Sequence, residues 1–345
     1  MVGIVDLLIF DMDGVLIDVS KSYRKTIQET VHIYFETCLG SEKGKRLVTD
    51  EEVALFKSVG GFNNDWDLTS GLLLYLLSIS GLPSSPKKKK FFSIQGIVSY
   101  LKTKSSKFHL NTANLSQKHL SDFLEKVQSS GGGLGGVRRA LKDSWDGWVY
   151  RTGDLDKENL VKRIFQEIYL GEKFTSYYHL QPFFYKGKGL HLQEKLLIPR
   201  RVLSSLRKKL RMGIASGRPR FEAELALKRF NLTPYFESVV TLDECVEEEE
   251  RIVRSTGRKT NLLKPHPYSL LRVVQEIGIP SPRCGYIGDV VDDILAAKAA
   301  GKKLNMLAIG FLSSRIRRKP TREALIQAGA DLIIEDLNGL FQFIH

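Results

Sequence analysis

Apolar and polar positions along this chain follow two regimes. At the N-terminal end and beyond about residue 200, short apolar runs alternate with segments of helical period. Six runs predict short buried strands: Ile4–Phe10, Met212–Ala215, Val239–Thr241, Gly285–Ile287, Leu304–Ile309 and Leu332–Ile334. Between them, the 3.6-residue period predicts helices over Arg200–Leu210, Phe221–Phe230, Pro267–Ile277, Asp292–Ala300 and Thr321–Ala328. Such alternation predicts βαβ units and a mostly parallel sheet. Ligands of such sheets bind beyond the carboxyl ends of the strands. Asp11, Asp13, Ser216 and Asp289 all fall there.

The alternation stops between about Asp18 and Pro199. That stretch is mainly helical in pattern, over Lys21–Phe35, Glu51–Val59, Leu68–Leu77, Ser116–Gln128 and Lys157–Tyr169. Two low-complexity pieces interrupt it, SGLPSSPKKKKFF (80–92) and SSGGGLGG (129–136). Clusters of Pro, Gly and Ser predict flexible loops there. The expected organisation is an α/β core, residues 1–20 and 199–345, split by a helical insertion over 21–198. No internal repeat is visible.

Composition narrows this only a little. The chain is 42% hydrophobic, enough for a real core. Its formal charge of +13 favours anionic partners without choosing among phosphorylated metabolites, nucleic acid and membrane surfaces. KKKK (87–90) reads as an anion patch or, more blandly, as a solvated loop. Cys38, Cys245 and Cys284 form no C-x-x-C pair, which argues against a disulfide framework or zinc site and fits a reducing compartment. The apolar run near Leu72–Leu77 is too short to span a membrane. No basic segment precedes the first apolar run, so no secretory leader is expected, and the expected location is the cytoplasm.

The candidate chemistry begins at FDMDGV, residues 10–15. A carboxylate at a strand's end, Asp11, can attack phosphorus and form an aspartyl phosphate. It needs the substrate's negative charge shielded, a task suited to Mg²⁺ with its preference for hard oxygen ligands. Asp13, two residues on, points to the same side of an extended chain. From there it could protonate the leaving oxygen and later deprotonate a water. Gly14 permits a sharp turn. A calcium loop would continue with further acids; this chain continues VLIDVS.

Three later segments add to the pattern. GIASGRP (213–219) puts Ser216 after a predicted strand, where its hydroxyl and the following N–H groups, with Gly217, can hold a phosphoryl oxygen. LKPHP offers the cation Lys264. YIGDVVDDILAAKAAG (286–301) ends a strand at Asp289, with Asp292 and Asp293 opening a helix, where acids can bind Mg²⁺ directly or through its water. Each has an ordinary alternative: a turn serine, a surface lysine, a helix-capping aspartate.

DMDGV, Ser216, Lys264 and GDVVDD together resemble the four signature motifs of the haloacid dehalogenase-like hydrolase superfamily. The resemblance covers residues 4–20 and 200–345, and the last motif looks like the phosphoglycolate phosphatase-like branch. It implies a Rossmann-like core with a helical cap inserted after the first strand, and hydrolysis of a small phosphorylated metabolite. By carry-over, Asp11 would be the nucleophile and Asp13 the acid/base. Ser216 and Lys264 would bind the phosphoryl group. Asp11, the Asp13 carbonyl and Asp289 would hold Mg²⁺, with Asp293 in support. Dehalogenases of this kind lack the second acid, so Asp13 favours phosphate chemistry.

The insertion is longer than the family's usual cap. Within GGFNNDWDLT (60–69), Asn63 and Asn64, with Lys57, Asp65 and Trp66 nearby, are candidate substrate contacts; alternatively they start a helix and pack the cap. Tyr177, Tyr178, Phe183, Phe184 and Tyr185 are expected to pack near the cap's exit. Arg218 could reach a substrate anion or form a surface salt bridge. Two other functions compete: a phosphomutase using the same acids, and a basic nucleic-acid-binding protein retaining the fold. The second lacks any recognised nucleic-acid motif, so nucleic acid is not the expected partner. The sequence does not set the oligomeric state.

Overall fold

The computed structural model describes residues 5–42, 44, 47–62, 64–107, 117–312 and 318–343. The chain divides into two compact units, Met1–Asp18 with Lys195–His345, and Val19–Glu194.

The first unit holds β1 (Leu7–Phe10), β2 (Ile17–Asp18), β3 (Lys195–Leu196), β4 (Arg211–Ala215), β5 (Ser238–Val240), β6 (Arg283–Gly288), β7 (Asn305–Phe311) and β8 (Leu332–Ile334). Six form a parallel sheet in the order β5-β4-β1-β6-β7-β8. All four residues of β1 are buried, as expected of a strand with both faces covered. Burying side chains such as Leu8 and Phe10 contributes roughly 1.5–3 kcal/mol each. The helices Tyr268–Ile277 and Val291–Ala300 pack Leu270, Val273, Ile294 and Ala297 into a core with Leu7, Ile9 and Tyr286.

Register decides what the sheet's carboxyl edge displays. Phe10 pairs with both Ile214 and Ile287. Asp11, Ser216 and Asp289 therefore emerge from neighbouring strand ends. Hydrogen bonds extend the ladders past the strands, from Asp11 N–H to the Ile287 carbonyl (2.8 Å) and from Ser216 N–H to the Val240 carbonyl (2.9 Å). The antiparallel pair β2–β3 sets Asp18 opposite Lys195, so the chain leaves and re-enters this unit through one short ribbon.

The second unit is helical: Tyr23–Ile33, Asp50–Ser58, Asp65–Ile79, Ile94–Ser105, Gln117–Ser129, Gly133–Ala140, Leu160–Leu170 and Glu172–Tyr178. Capping explains several starts. Thr49 and Glu52 form a capping box, and Asn64, Ser93 and Asn159 accept from N–H groups of their own first turns.

Both segments expected to be flexible loops make specific contacts within the unit. Residues 129–136 run into the helix Gly133–Ala140. Glycine usually weakens a helix; here it allows two backbones to touch. Gly133 donates to the Gly60 carbonyl (2.9 Å), and a Cβ on Gly133 would fall on the Gly61 carbonyl. In residues 80–92, Ser85 N–H donates to the Ser144 carbonyl (2.6 Å), and the Pro83 carbonyl accepts from Trp148 Nε1 (2.9 Å). Within KKKK, Lys88 is only partly exposed, and its amine sits 5.9 Å from the Tyr150 ring. Burial, with Arg151 and Arg138 outweighing Asp146, pulls the Lys88 ammonium down to about 8.

Three further helices escape the periodicity: Ile94–Ser105, Glu172–Tyr178 and, in the first unit, Leu242–Thr256. The last fully buries only Cys245, and its apolar positions at helical spacing, Leu242, Cys245, Val246, Ile252 and Val253, are interrupted by the glutamate run 247–250. A Thr241–Glu244 capping box starts it and Gly257, at φ +69°, ends it. The three cysteines are buried free thiols. Among the described residues no helix is long and apolar enough to cross a membrane.

Candidate active site

Asp11 leaves β1 buried, at the sheet edge. Its Oδ1 accepts from Lys264 Nζ at 2.7 Å. Lys264 comes from the loop before the helix Tyr268–Ile277 and also donates to Asp293 Oδ1 (2.6 Å) and to the Tyr286 hydroxyl (2.9 Å). Tyr286 in turn donates to Asp293 Oδ1 (2.9 Å). The other Asp293 oxygen accepts from the N–H groups of Asp289 (3.2 Å) and Val290 (3.4 Å), where the helix Val291–Ala300 begins. Both oxygens of this fully buried acid are thus committed to holding the site's shape.

Asp289 closes the group. Carboxylate oxygens of Asp11, Asp289 and Asp293 lie within 4.8 Å of one another. Gly14 makes this possible in two ways. Its φ of +78° is one that L side chains rarely adopt, and a Cβ there would land on the Asp289 carboxylate. The glycine therefore serves close approach as well as the turn.

Electrostatics at this edge are strained. Burial pushes the Asp11 carboxyl well above the usual range; Lys264 opposes this, while Asp293, Asp13 and Asp289 add to it. Lys264 is depressed by burial, but Asp11 and Asp293 outweigh that and hold its ammonium well above the ordinary value. Four carboxylates face one lysine and one arginine, an anionic excess made of hard oxygen donors. That donor set fits a divalent cation such as Mg²⁺.

Ser216 is buried, and its Oγ accepts from the Arg218 N–H at 3.2 Å. Gly217 between them is exposed. The Arg218 guanidinium is neither on the surface nor directed at open solvent. Its side chain is 1% exposed, and Nε (2.7 Å) and Nη2 (2.6 Å) both reach Asp13 Oδ1.

With this geometry in view, one comparison decides the family. A family model for haloacid dehalogenase-like hydrolases matches residues 5–301. The chain belongs to that family. Among curated proteins, a Phytophthora nicotianae imidazoleglycerol-phosphate dehydratase is 23% identical over 340 residues, covering 96% of this chain and 50% of the relative. A Xylella fastidiosa phosphoglycolate phosphatase is 32% identical over 101 residues, covering 29% of this chain and 38% of the relative. This chain thus spans half or less of these curated relatives. A crystal structure solved as a structural-genomics target is 20% identical, covers 98% of each chain and superposes with a TM-score of 0.61, the same fold.

In this member of the family the remaining candidates lie in the helical unit. Asn63 lies outside the described residues. Asn64 caps the helix Asp65–Ile79, its side chain accepting from Asp67 N–H at 2.8 Å. Lys57 pairs with Asp65 at 3.0 Å, and Lys162 sits 4.0 Å from the Trp66 ring. The aromatic cluster packs on itself: Tyr177 meets Tyr178 and Phe183 meets Phe184 edge-on. Glu167 anchors that segment by accepting from the N–H groups of Phe183, Phe184 and Tyr185 at 2.6–3.0 Å. A cavity of about 550 Å³ in the same unit is lined by Gln181, Tyr185 and Lys186 among others, and by none of the motif residues.

Tyr286 was missed as a site residue. A tyrosine inside a buried strand reads as core, and only its hydroxyl between Lys264 and Asp293 marks it otherwise.

Proposed function

We propose that this hydrolase is a Mg²⁺-dependent phosphatase that releases phosphate from a small phosphorylated metabolite through an aspartyl-phosphate intermediate. The observation that carries the reading is Asp11: a buried carboxylate at a strand end, paired with Lys264 at 2.7 Å and clustered with Asp289 and Asp293. The short stretch shared with a phosphoglycolate phosphatase supports it.

In this reading Asp11 attacks phosphorus. Ser216 and the N–H groups of its turn, with Lys264, orient the phosphoryl oxygens. Asp13 hands a proton to the leaving oxygen and later takes one from the hydrolytic water. Asp11, Asp289 and the Asp13 carbonyl would hold Mg²⁺, while Asp293 keeps Lys264 and the start of its helix in place. Bound there, the ion would shield the phosphate's charge from the attacking carboxylate. The helical unit is the family's cap, and in this reading it selects the substrate.

A panel of phosphate monoesters tests the proposal, assayed with Mg²⁺ against wild type and Asp11→Asn. The names of the two curated relatives justify including phosphoglycolate and imidazoleglycerol phosphate. Phosphate release by wild type, lost in Asp11→Asn, is the expected result. Conversion of a sugar phosphate to its isomer would indicate a mutase instead. Salt-sensitive nucleic-acid binding with no release from any ester would overturn the phosphatase reading.

A further inference from the structure

We infer that Tyr286 is the positioning residue for Lys264, its hydroxyl fixing the ammonium beside Asp11 so that the cation meets the phosphoryl oxygens from one place in both steps. This rests on the phosphatase reading above, in which Lys264 orients those oxygens.

Three observations carry it. The first is that the lysine's own chain does not place its charge. Lys264 stands in a loop, and its ammonium sits at the end of a flexible four-carbon stem. Three acceptors fix it: Asp11 Oδ1 (2.7 Å), Asp293 Oδ1 (2.6 Å) and the Tyr286 hydroxyl (2.9 Å). An ammonium has three N–H donors, one for each; the Ala215 carbonyl is farther off, at 3.5 Å. The acceptors come from the end of β1, the helix Val291–Ala300 and β6, so the charge is held from three elements.

The second is rigidity. Tyr286 lies inside β6, paired with Ile9 on one side and Ala308 on the other, and it is fully buried. The sheet therefore sets where its hydroxyl reaches. Any buried tyrosine needs a partner, and the Ala215 carbonyl is near, at 3.4 Å; the hydroxyl instead sits 2.9 Å from both Lys264 and Asp293. The third is charge. The hydroxyl accepts from the ammonium and donates to the same Asp293 oxygen that Lys264 meets, which closes a ring of three hydrogen bonds. Being neutral, it fixes the cation without adding to the anionic excess.

The reaction gives this anchoring its use. In the first step an Asp11 oxygen bonds to phosphorus, the ester P–O bond breaks, and its electron pair leaves on the ester oxygen, which Asp13 protonates. Asp11 then loses the charge that drew Lys264, while Tyr286 and Asp293 keep their hold. In the second step the water oxygen bonds to phosphorus, Asp13 takes a water proton, and the Asp11–phosphorus bond breaks to restore the carboxylate. Lys264 keeps its proton throughout, and none passes through Tyr286.

A double-mutant cycle tests this. Wild type, Tyr286→Phe, Lys264→Met and Lys264→Met/Tyr286→Phe are assayed with Mg²⁺ on p-nitrophenyl phosphate and on the best alkyl phosphate of the panel. Single turnovers at high enzyme concentration keep slow variants measurable. Tyr286→Met is run beside Tyr286→Phe in case the latter fails to fold, with near-ultraviolet circular dichroism as the check. Displacing the ammonium should lower kcat about 10–10²-fold. The factor should be the same on both esters, because the cation acts on the phosphoryl group and not on the leaving oxygen. The loss should fall on kcat more than on KM, and Mg²⁺ half-saturation should stay at its wild-type value. Because Tyr286 acts through Lys264, the double variant should be no slower than Lys264→Met. Wild-type kcat beside a lowered urea midpoint would confine the hydroxyl to stability. Losses that multiply in the double variant, or weaker Mg²⁺ half-saturation with normal kcat at saturation, would place its effect on Asp293. Each of these overturns the inference while leaving Lys264 its role. No phosphate release by wild type from any ester would remove the phosphatase reading itself, and full activity in Lys264→Met would remove the lysine's part in it; the inference falls with either.

Discussion

Replacing Gly14 with alanine separates the turn from the close approach at the site. The backbone at Gly14 has a φ of +78°, and a Cβ there would fall on the Asp289 carboxylate. An L side chain in the left-handed region costs about 1–2 kcal/mol. For a unit of this size that lowers the melting temperature by about 2–8 °C. Asp289 must also move aside, and if it holds Mg²⁺ as proposed, disturbing a metal ligand's placement typically costs about 10–100-fold in affinity. Calorimetric melting should therefore show a modest loss, and Mg²⁺ titrations followed by binding heat and by activity should show weaker half-saturation. The two readouts divide the causes. A lower melting point with wild-type Mg²⁺ affinity would mean that the glycine serves the turn alone. Wild-type behaviour in both would refute the close-approach reasoning altogether.

Chelation after metal removal should abolish turnover and Mg²⁺ should restore it; full turnover in excess chelator would remove the ion from the proposed reaction. Tyr286→Phe deletes a hydroxyl bonded to Lys264 and Asp293, and leaving such buried groups short of a partner costs about 1–3 kcal/mol; urea denaturation that matches wild type would show the hydroxyl to be dispensable. Gly133→Ala collides with the Gly61 carbonyl at a φ of +56° and should destabilise by more than about 1 kcal/mol, read as a lower urea midpoint or faster proteolysis within Val19–Glu194. Lys88, held down to about 8, binds its proton less readily folded than unfolded, so stability at that site is lost as pH falls from about 10.5 through 8. Lys88→Met should accordingly melt higher than wild type at pH 7, with the gap shrinking as pH rises toward 10, and a gap independent of pH would contradict the assigned cause.

Much of the first unit was legible in the sequence, because parallel strands buried on both faces leave uninterrupted apolar runs. Leu332–Ile334 matches its expected span, and Met212–Ala215 and Gly285–Ile287 lie one or two residues inside the observed strands. The acids were legible for a related reason. A charged residue directly after such a run stands at the strand's carboxyl end, where α/β sheets bind ligands. Helices stabilised by other means were not legible. The helix Leu242–Thr256 relies on its caps and buries one side chain, while Gly133–Ala140 depends on backbone contact that composition disguises as a linker.

What tertiary structure alone decided is which distant side chains meet. The spacing of Asp11 and Asp13 follows from two residues of extended chain. That Asp13 meets Arg218, 205 positions away, follows from the register of β1 against β4 and the pinned turn beyond it. Likewise Tyr286 and Arg218 are ordinary residues by local pattern, a strand aromatic and a loop cation. Their surroundings set their roles, and those surroundings come from packing: burial strips water from a hydroxyl or a guanidinium and leaves the neighbouring carboxylate as its partner.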